Sequence, residues 1–87
     1  VGHGIGTKMH EDPEVPNYVP PRGDHRANPR LLPGMTLAIE PMINAGEHDI
    51  DMSDPNGWTI RTADGKPSAQ WEVQLVVTDD GYELLSW

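Results

Sequence analysis

Six prolines fall between residues 13 and 34, at Pro13, Pro16, Pro20, Pro21, Pro29 and Pro33. Each removes a backbone donor and pushes its predecessor out of the helical region, so no long helix fits there. The stretch reads as an extended loop crossing a surface. The constraint reaches beyond it. Gly 9 and Pro 9 punctuate a chain of 87 residues in which 36% are apolar and both Phe and Cys are absent. A domain of this size buries only about 60–65% of its unfolded surface. With no disulfide and so many turn formers, its core is expected to be thin. The chain is therefore expected to complete that core with a metal, a partner or further polypeptide. It opens at Val1, inside sequence already patterned as structure, which points to a fragment or a processed product.

The remainder reads as short antiparallel strands with almost no helix. Residues 1–12, VGHGIGTKMHED, are a Gly/His-rich opening. Residues 35–44, MTLAIEPMIN, are apolar and partly β-branched, which predicts a strand. Pro41 inside it implies an edge, a bulge or an abrupt end. Residues 45–57 are a polar loop, and Trp58–Thr62 predicts a short strand. Asp64-Gly65 is a hairpin turn signal. Ala69–Thr78, AQWEVQLVVT, is the best strand in the chain, followed by a turn at Asp79, Asp80 and Gly81 and a last short strand at Tyr82–Leu85.

Charge excludes some classes. The formal net charge is -8, from Lys+Arg 6 against Asp+Glu 14, and the basic residues are scattered rather than clustered. That argues against nucleic-acid binding, which needs a basic footprint. No apolar run approaches the ~20 residues of a membrane helix, and no signal segment opens the chain. The lack of cysteine fits a cytoplasmic protein.

Three residues stand out chemically. Alternation along the best strand puts Trp71, Val73, Leu75 and Val77 on one face, and Gln70, Glu72, Gln74 and Val76 on the other. Glu72 is then a carboxylate in the middle of a core-like segment. It either faces water on a half-exposed sheet or is paired or metal-bound. Glu40, between Ile39 and Pro41, either points outward from an edge strand or is a ligand or general base. His3 sits between glycines that permit close backbone approach. It is either solvated in a loop or held toward a ligand. His10 follows seven residues later, while His25 and His48 lie in polar loops and are assigned no role. One imidazole and two carboxylates make a mixed donor set suited to Mn, Fe, Co or Zn. No nucleophile elbow, phosphate loop or Ser-His-Asp order is present.

Three segments, GHGIGTKMHEDPEVPNY, PGMTLAIEPMIN and GWTIRTADGKPSAQWEVQLVVT, together resemble the C-terminal part of the type I methionine aminopeptidases. They cover nearly the whole chain and stand in the family's order. The resemblance implies an α+β pita-bread fold, with residues 1–87 forming the mostly antiparallel C-terminal part of one catalytic domain. It implies two divalent metal ions (Co, Mn, Fe or Zn) held by two Asp, one His and two Glu. His3 matches the histidine ligand, Glu40 the first glutamate and Glu72 the bridging glutamate. His10 matches a histidine that contacts the scissile peptide. Met9 and Trp58 match positions lining the pocket for the methionine side chain. The family usually has Phe at Met9 and His-Thr at Val73-Gln74, so those departures should tune the site's surroundings rather than remove it.

By the same resemblance, the substrate is the N-terminus of a nascent polypeptide and the reaction is removal of its initiator methionine. Glu40 and His10 are the candidate catalytic groups. The two Asp ligands belong to an upstream part of the domain that none of this chain's aspartates matches. The isolated chain is accordingly expected to hold at most one metal weakly and to be inactive. Two other readings are a catalytically silent binding module of the same fold and a proline-directed peptidase. Retention of His3, Glu40 and Glu72 weighs against the first. The segments after Glu40-Pro41 and around Glu72 weigh against the second.

Overall fold

The β-branched and apolar runs of the chain pair with one another at the centre of a five-stranded antiparallel sheet. The computed structural model describes residues 1–24 and 29–86. In chain order the strands are β1 (Gly2–Gly4), β2 (Glu11–Val15), β3 (Thr36–Ile39), β4 (Met42–Asn44), β5 (Ile50–Asp51), β6 (Arg61–Thr62), β7 (Ser68–Gln70), β8 (Val73–Val77) and β9 (Tyr82–Ser86). The main sheet runs β2-β1-β3-β8-β9, and two further ribbons pair β4 with β7 and β5 with β6. All described elements are strands, as the turn-rich composition predicts.

Leu37, Ala38 and Leu75 are the buried hydrophobic residues, and all three lie on β3 and β8. Leu37 stands opposite Leu75, and Leu75 opposite Leu84, so these side chains share one face. A buried Leu contributes on the order of 1.5–3 kcal/mol. Two such leucines and Ala38 make a small core. Trp71, Ile43, Met42 and Leu85 stay largely exposed. The radius of gyration is 15.2 Å, against about 12 Å for a close-packed chain of this length. The sheet therefore lacks a second packed layer among the described residues, which is the thin core expected from the composition.

Four expectations need correction. Residues 45–57, expected as loop, contain the short strand β5, and the Gly/His opening, to which no element was assigned, contains the buried strand β1 between β2 and β3. The proline-rich stretch begins inside β2, where Pro13 is tolerated because β2 is the sheet edge. The expected single strand over 69–78 is two, β7 and β8, separated at Trp71 and Glu72. Finally, of Trp58–Thr62 only Arg61–Thr62 is strand. The turn at Asp64-Gly65 does form, with Gly65 at φ 73° and its N–H donating to the Thr62 carbonyl at 3.3 Å. It does not join two strands of one hairpin: β6 pairs back to β5, and β7 to β4.

The two strand breaks at Glu40-Pro41 and Trp71-Glu72 face each other. In β3 and β8, Ile39 stands opposite Val73; in β4 and β7, Met42 stands opposite Gln70. The same register holds on both sides, so Glu40 and Glu72 are opposed across the gap. Between them the Trp71 N–H reaches the Pro41 carbonyl at 3.5 Å. Proline cannot donate to a ladder, and the ribbon opens where Pro41 interrupts it.

Candidate metal centre

The histidine is placed by glycine. His3 stands opposite Ala38 on one side and Glu14 on the other. A side chain at Gly2 would strike the Ala38 carbonyl oxygen, and one at Gly4 would strike the Asp12 carbonyl. Only glycine on both sides lets the neighbouring backbones close around this imidazole. His3 is buried, and its ring is fixed by its own chain: Nδ1 donates to the Gly4 carbonyl at 2.9 Å. A carbonyl can only accept, so Nδ1 carries a proton, and Nε2 is the nitrogen that the neutral ring would offer to a metal.

Nε2 faces a carboxylate. His3 Nε2 lies 3.5 Å from Glu40 Oε2. Because side chains alternate along a strand, Glu40 shares a face with Ala38, and Glu72 with Gln74. Ala38 is paired to His3 and to Gln74, so all three donors fall on one side of the sheet. One donor atom from each of His3, Glu40 and Glu72 lies within 4.8 Å of the others. His3 is buried, Glu40 half-buried and Glu72 exposed, so the cluster opens from the sheet interior to solvent. One neutral imidazole and two carboxylates fit a divalent first-row ion, and the Nδ1–H bond supplies the outer contact that such a ligand needs.

His10 packs against His3, ring centroids 4.3 Å apart and planes at 63°. The two line an open cleft of about 680 Å³ with Thr7, Lys8, Glu11 and Glu14. Met9 is exposed on the same connection between β1 and β2; Trp58 is 85% exposed on the connection between β5 and β6. Neither lines that cleft. His48 is exposed beside Asp49, in keeping with a solvated loop, and His25 lies outside the described residues. The reading of residues 13–34 as loop missed Glu14, whose alternation with Pro13 and Val15 carried the strand signal.

Antiparallel strands that carry an imidazole and two carboxylates to one point define the class: a β-rich chain with a hard nitrogen–oxygen donor set. The description "Metallopeptidase family M24" matches residues 1–79, and the chain belongs to that family. It is 46% identical over 86 residues to methionine aminopeptidase 1 of Bacillus subtilis and 52% identical over 86 residues to a methionine aminopeptidase of Clostridium perfringens. These alignments take in 99% of this chain and 33% and 32% of the relatives, so the chain spans about a third of their length. Among solved structures it is similar to the methionine aminopeptidase of Thermotoga maritima, at TM-score 0.85 and 42% identity over 98% of this chain and 32% of that one. The Rickettsia prowazekii enzyme gives TM-score 0.83 and 42% identity, covering 95% and 32%. The pita-bread fold expected from the sequence is thus the fold this chain shares, and its strands are the antiparallel part of it.

A second polar region lies in the loops around β5 and β6. Asp54 is held below its ordinary value of 3.8 by the Asn56 N–H and then by Arg61; Asp64 is held below it by the N–H groups of Glu47 and Lys66. A depressed carboxyl stabilises the loops above its unfolded pKa, and that contribution is lost as pH falls through the folded value. The Asn56 and Glu47 amide resonances should therefore stay constant from neutral pH down to about pH 5 and shift only below about pH 4. Midpoints at or above the ordinary carboxylate value would show that these bonds do not form in solution.

Proposed function

We propose that the complete protein carrying this chain releases methionine from the N-terminus of nascent polypeptides in the cytoplasm, using two divalent ions (Co, Mn, Fe or Zn). The convergence of His3, Glu40 and Glu72 within 4.8 Å carries this reading. Residues 1–87 would be the C-terminal part of the catalytic domain, and the two aspartate ligands would come from the rest of it. The bound ions would supply Lewis acidity, ionising water near neutral pH and polarising the scissile carbonyl.

The chain's own residues then divide the work. His3 binds through Nε2, its tautomer set by the Gly4 carbonyl. Glu72 binds from across the strand gap, opposite Glu40. Glu40 also takes the proton of the attacking water and returns it to the leaving amine. His10, packed edge-on against His3, donates a hydrogen bond to the carbonyl oxygen as negative charge develops there. Met9 and Trp58 supply soft apolar surface for the thioether of the substrate.

The test compares Met-Ala-Ser with an X-Pro peptide on the complete gene product loaded with each metal in turn. Release of methionine from the first alone is the expected result. Cleavage of the X-Pro peptide alone would replace the reading with a proline-directed peptidase. Failure on both, with metal bound, would make the protein a binding module. This chain alone is expected to release no methionine.

A further inference from the structure

The three donors are not held equally. His3 is fixed by its bond to the Gly4 carbonyl, and Glu40 lies 3.5 Å from His3 Nε2. Glu72 is exposed and sits in the break between β7 and β8. Among the described residues its carboxylate makes no hydrogen bond or ion pair. A glutamate left loose in this way gives up rotamer freedom when it binds an ion, which weakens the binding.

Glu72 must also reach across the sheet. β1 and β8 flank β3 on opposite sides, so the side chains of His3 and Glu72 meet above β3. The floor beneath them is Ala38, which stands opposite His3 on one side and Gln74 on the other. Ala38 is 0% exposed although its side chain is a single methyl, so the longer side chains of this face close over it. Gln74 stands beside it, half-buried. By strand alternation Gln74 shares the face of Glu72, two residues and about 7 Å beyond it. Its side-chain amide makes no hydrogen bond to any described residue. A donor and an acceptor thus stand side by side on one face, and both are uncommitted. Glu40, across the gap, is an anion with no proton to give. Gln70 carries the same amide, but it lies on the exposed strand β7, beyond the break and outside the row that holds His3.

We propose that Gln74 is a positioning residue for Glu72: as Glu72 turns to bind, the amide donates to a carboxylate oxygen and holds the side chain over Ala38, toward His3. Each carboxylate oxygen has two acceptor sites, so this bond and a bond to an ion are compatible. An amide is neutral, so the restraint leaves the charge of the donor set unchanged. The inference rests on the assignment of Glu72 to the metal centre made above.

The test titrates the metal-free complete gene product with Mn²⁺ in a calorimeter. Gln74→Met keeps the length of the side chain over Ala38 and removes the donor. It should weaken Mn²⁺ binding about tenfold, as loss of an outer contact to a ligand does. The unfolding midpoint of the metal-free protein should not move, and Gln70→Met should bind Mn²⁺ within about twofold of wild type. Glu72→Ala should weaken binding further. Adding Gln74→Met to Glu72→Ala should then change nothing more, because the amide has lost the group through which it acts. Unchanged affinity in Gln74→Met, or the same tenfold loss in the Glu72→Ala background, would overturn the positioning role and leave the proposed function intact. A lowered midpoint in Gln74→Met would make Gln74 a packing residue instead. Wild-type affinity in Glu72→Ala would remove Glu72 from the metal centre and the inference with it.

Discussion

Glu40→Gln is expected to lower methionine release by the complete gene product at least about a thousandfold. The amide keeps the shape of the side chain but loses the charge and the basicity. Two losses then coincide. The donor cluster gives up one of its two anionic oxygens, and proton transfer between water and leaving amine loses its carrier, a step typically worth about 10²–10⁴-fold. Neighbouring geometry argues that the fold survives: Glu40 lies outside β3, half-buried, with its side chain 3.5 Å from His3 Nε2. Metal content measured on the same preparation separates the two losses. Retained metal with lost turnover assigns Glu40 chiefly to proton transfer; lost metal assigns it chiefly to binding. Turnover within a few-fold of wild type would remove Glu40 from the centre.

Gly4→Ala is expected to cost at least about 3 kcal/mol of stability in denaturant unfolding, enough to prevent folding of a marginal protein. The added methyl would meet the carbonyl carbon and oxygen of Asp12, which are backbone and cannot step aside without dragging β2 from the sheet edge. Two controls make the reason specific. At Gly6 the new methyl would meet only the carboxylate of Glu11, the far end of a flexible side chain, so Gly6→Ala should cost clearly less. At Gly81 nothing lies near, and Gly81→Ala should be neutral within about 0.5 kcal/mol. Equal costs at all three positions would show that steric closure around His3 is not what these glycines provide.

The glycines also show how far the sequence could be read. Flanking a histidine with two glycines suggested close backbone approach, and the approach is there on both sides. What approaches was not legible: Ala38 is distant from Gly2 in the chain, and both it and the nearer Asp12 meet these glycines only through strand pairing. Similarly, Pro41 marked an interruption, because a residue without an N–H cannot donate to a ladder and is tolerated only at an edge, as Pro13 is in β2. That the opposite strand breaks at the matching point, at Trp71-Glu72, needed the register. Alternation in AQWEVQLVVT favoured one continuous strand, and no local signal in that segment opposed it.

Residue types and their spacing therefore determined the local chemistry of this protein: a β-rich chain with a thin core, one glycine-flanked imidazole, two carboxylates in apolar surroundings, and the family that these segments resemble. They could do so because propensity, proline geometry and side-chain chemistry act within a few residues. The tertiary structure alone decided which strands pair, so that β1 lies between β2 and β3 and the Asp64-Gly65 turn serves two different ribbons. It alone brought His3, Glu40 and Glu72 together. They lie 37 and 32 residues apart in order along the chain, and their meeting depends on a register that long-range backbone hydrogen bonds fix and local sequence does not.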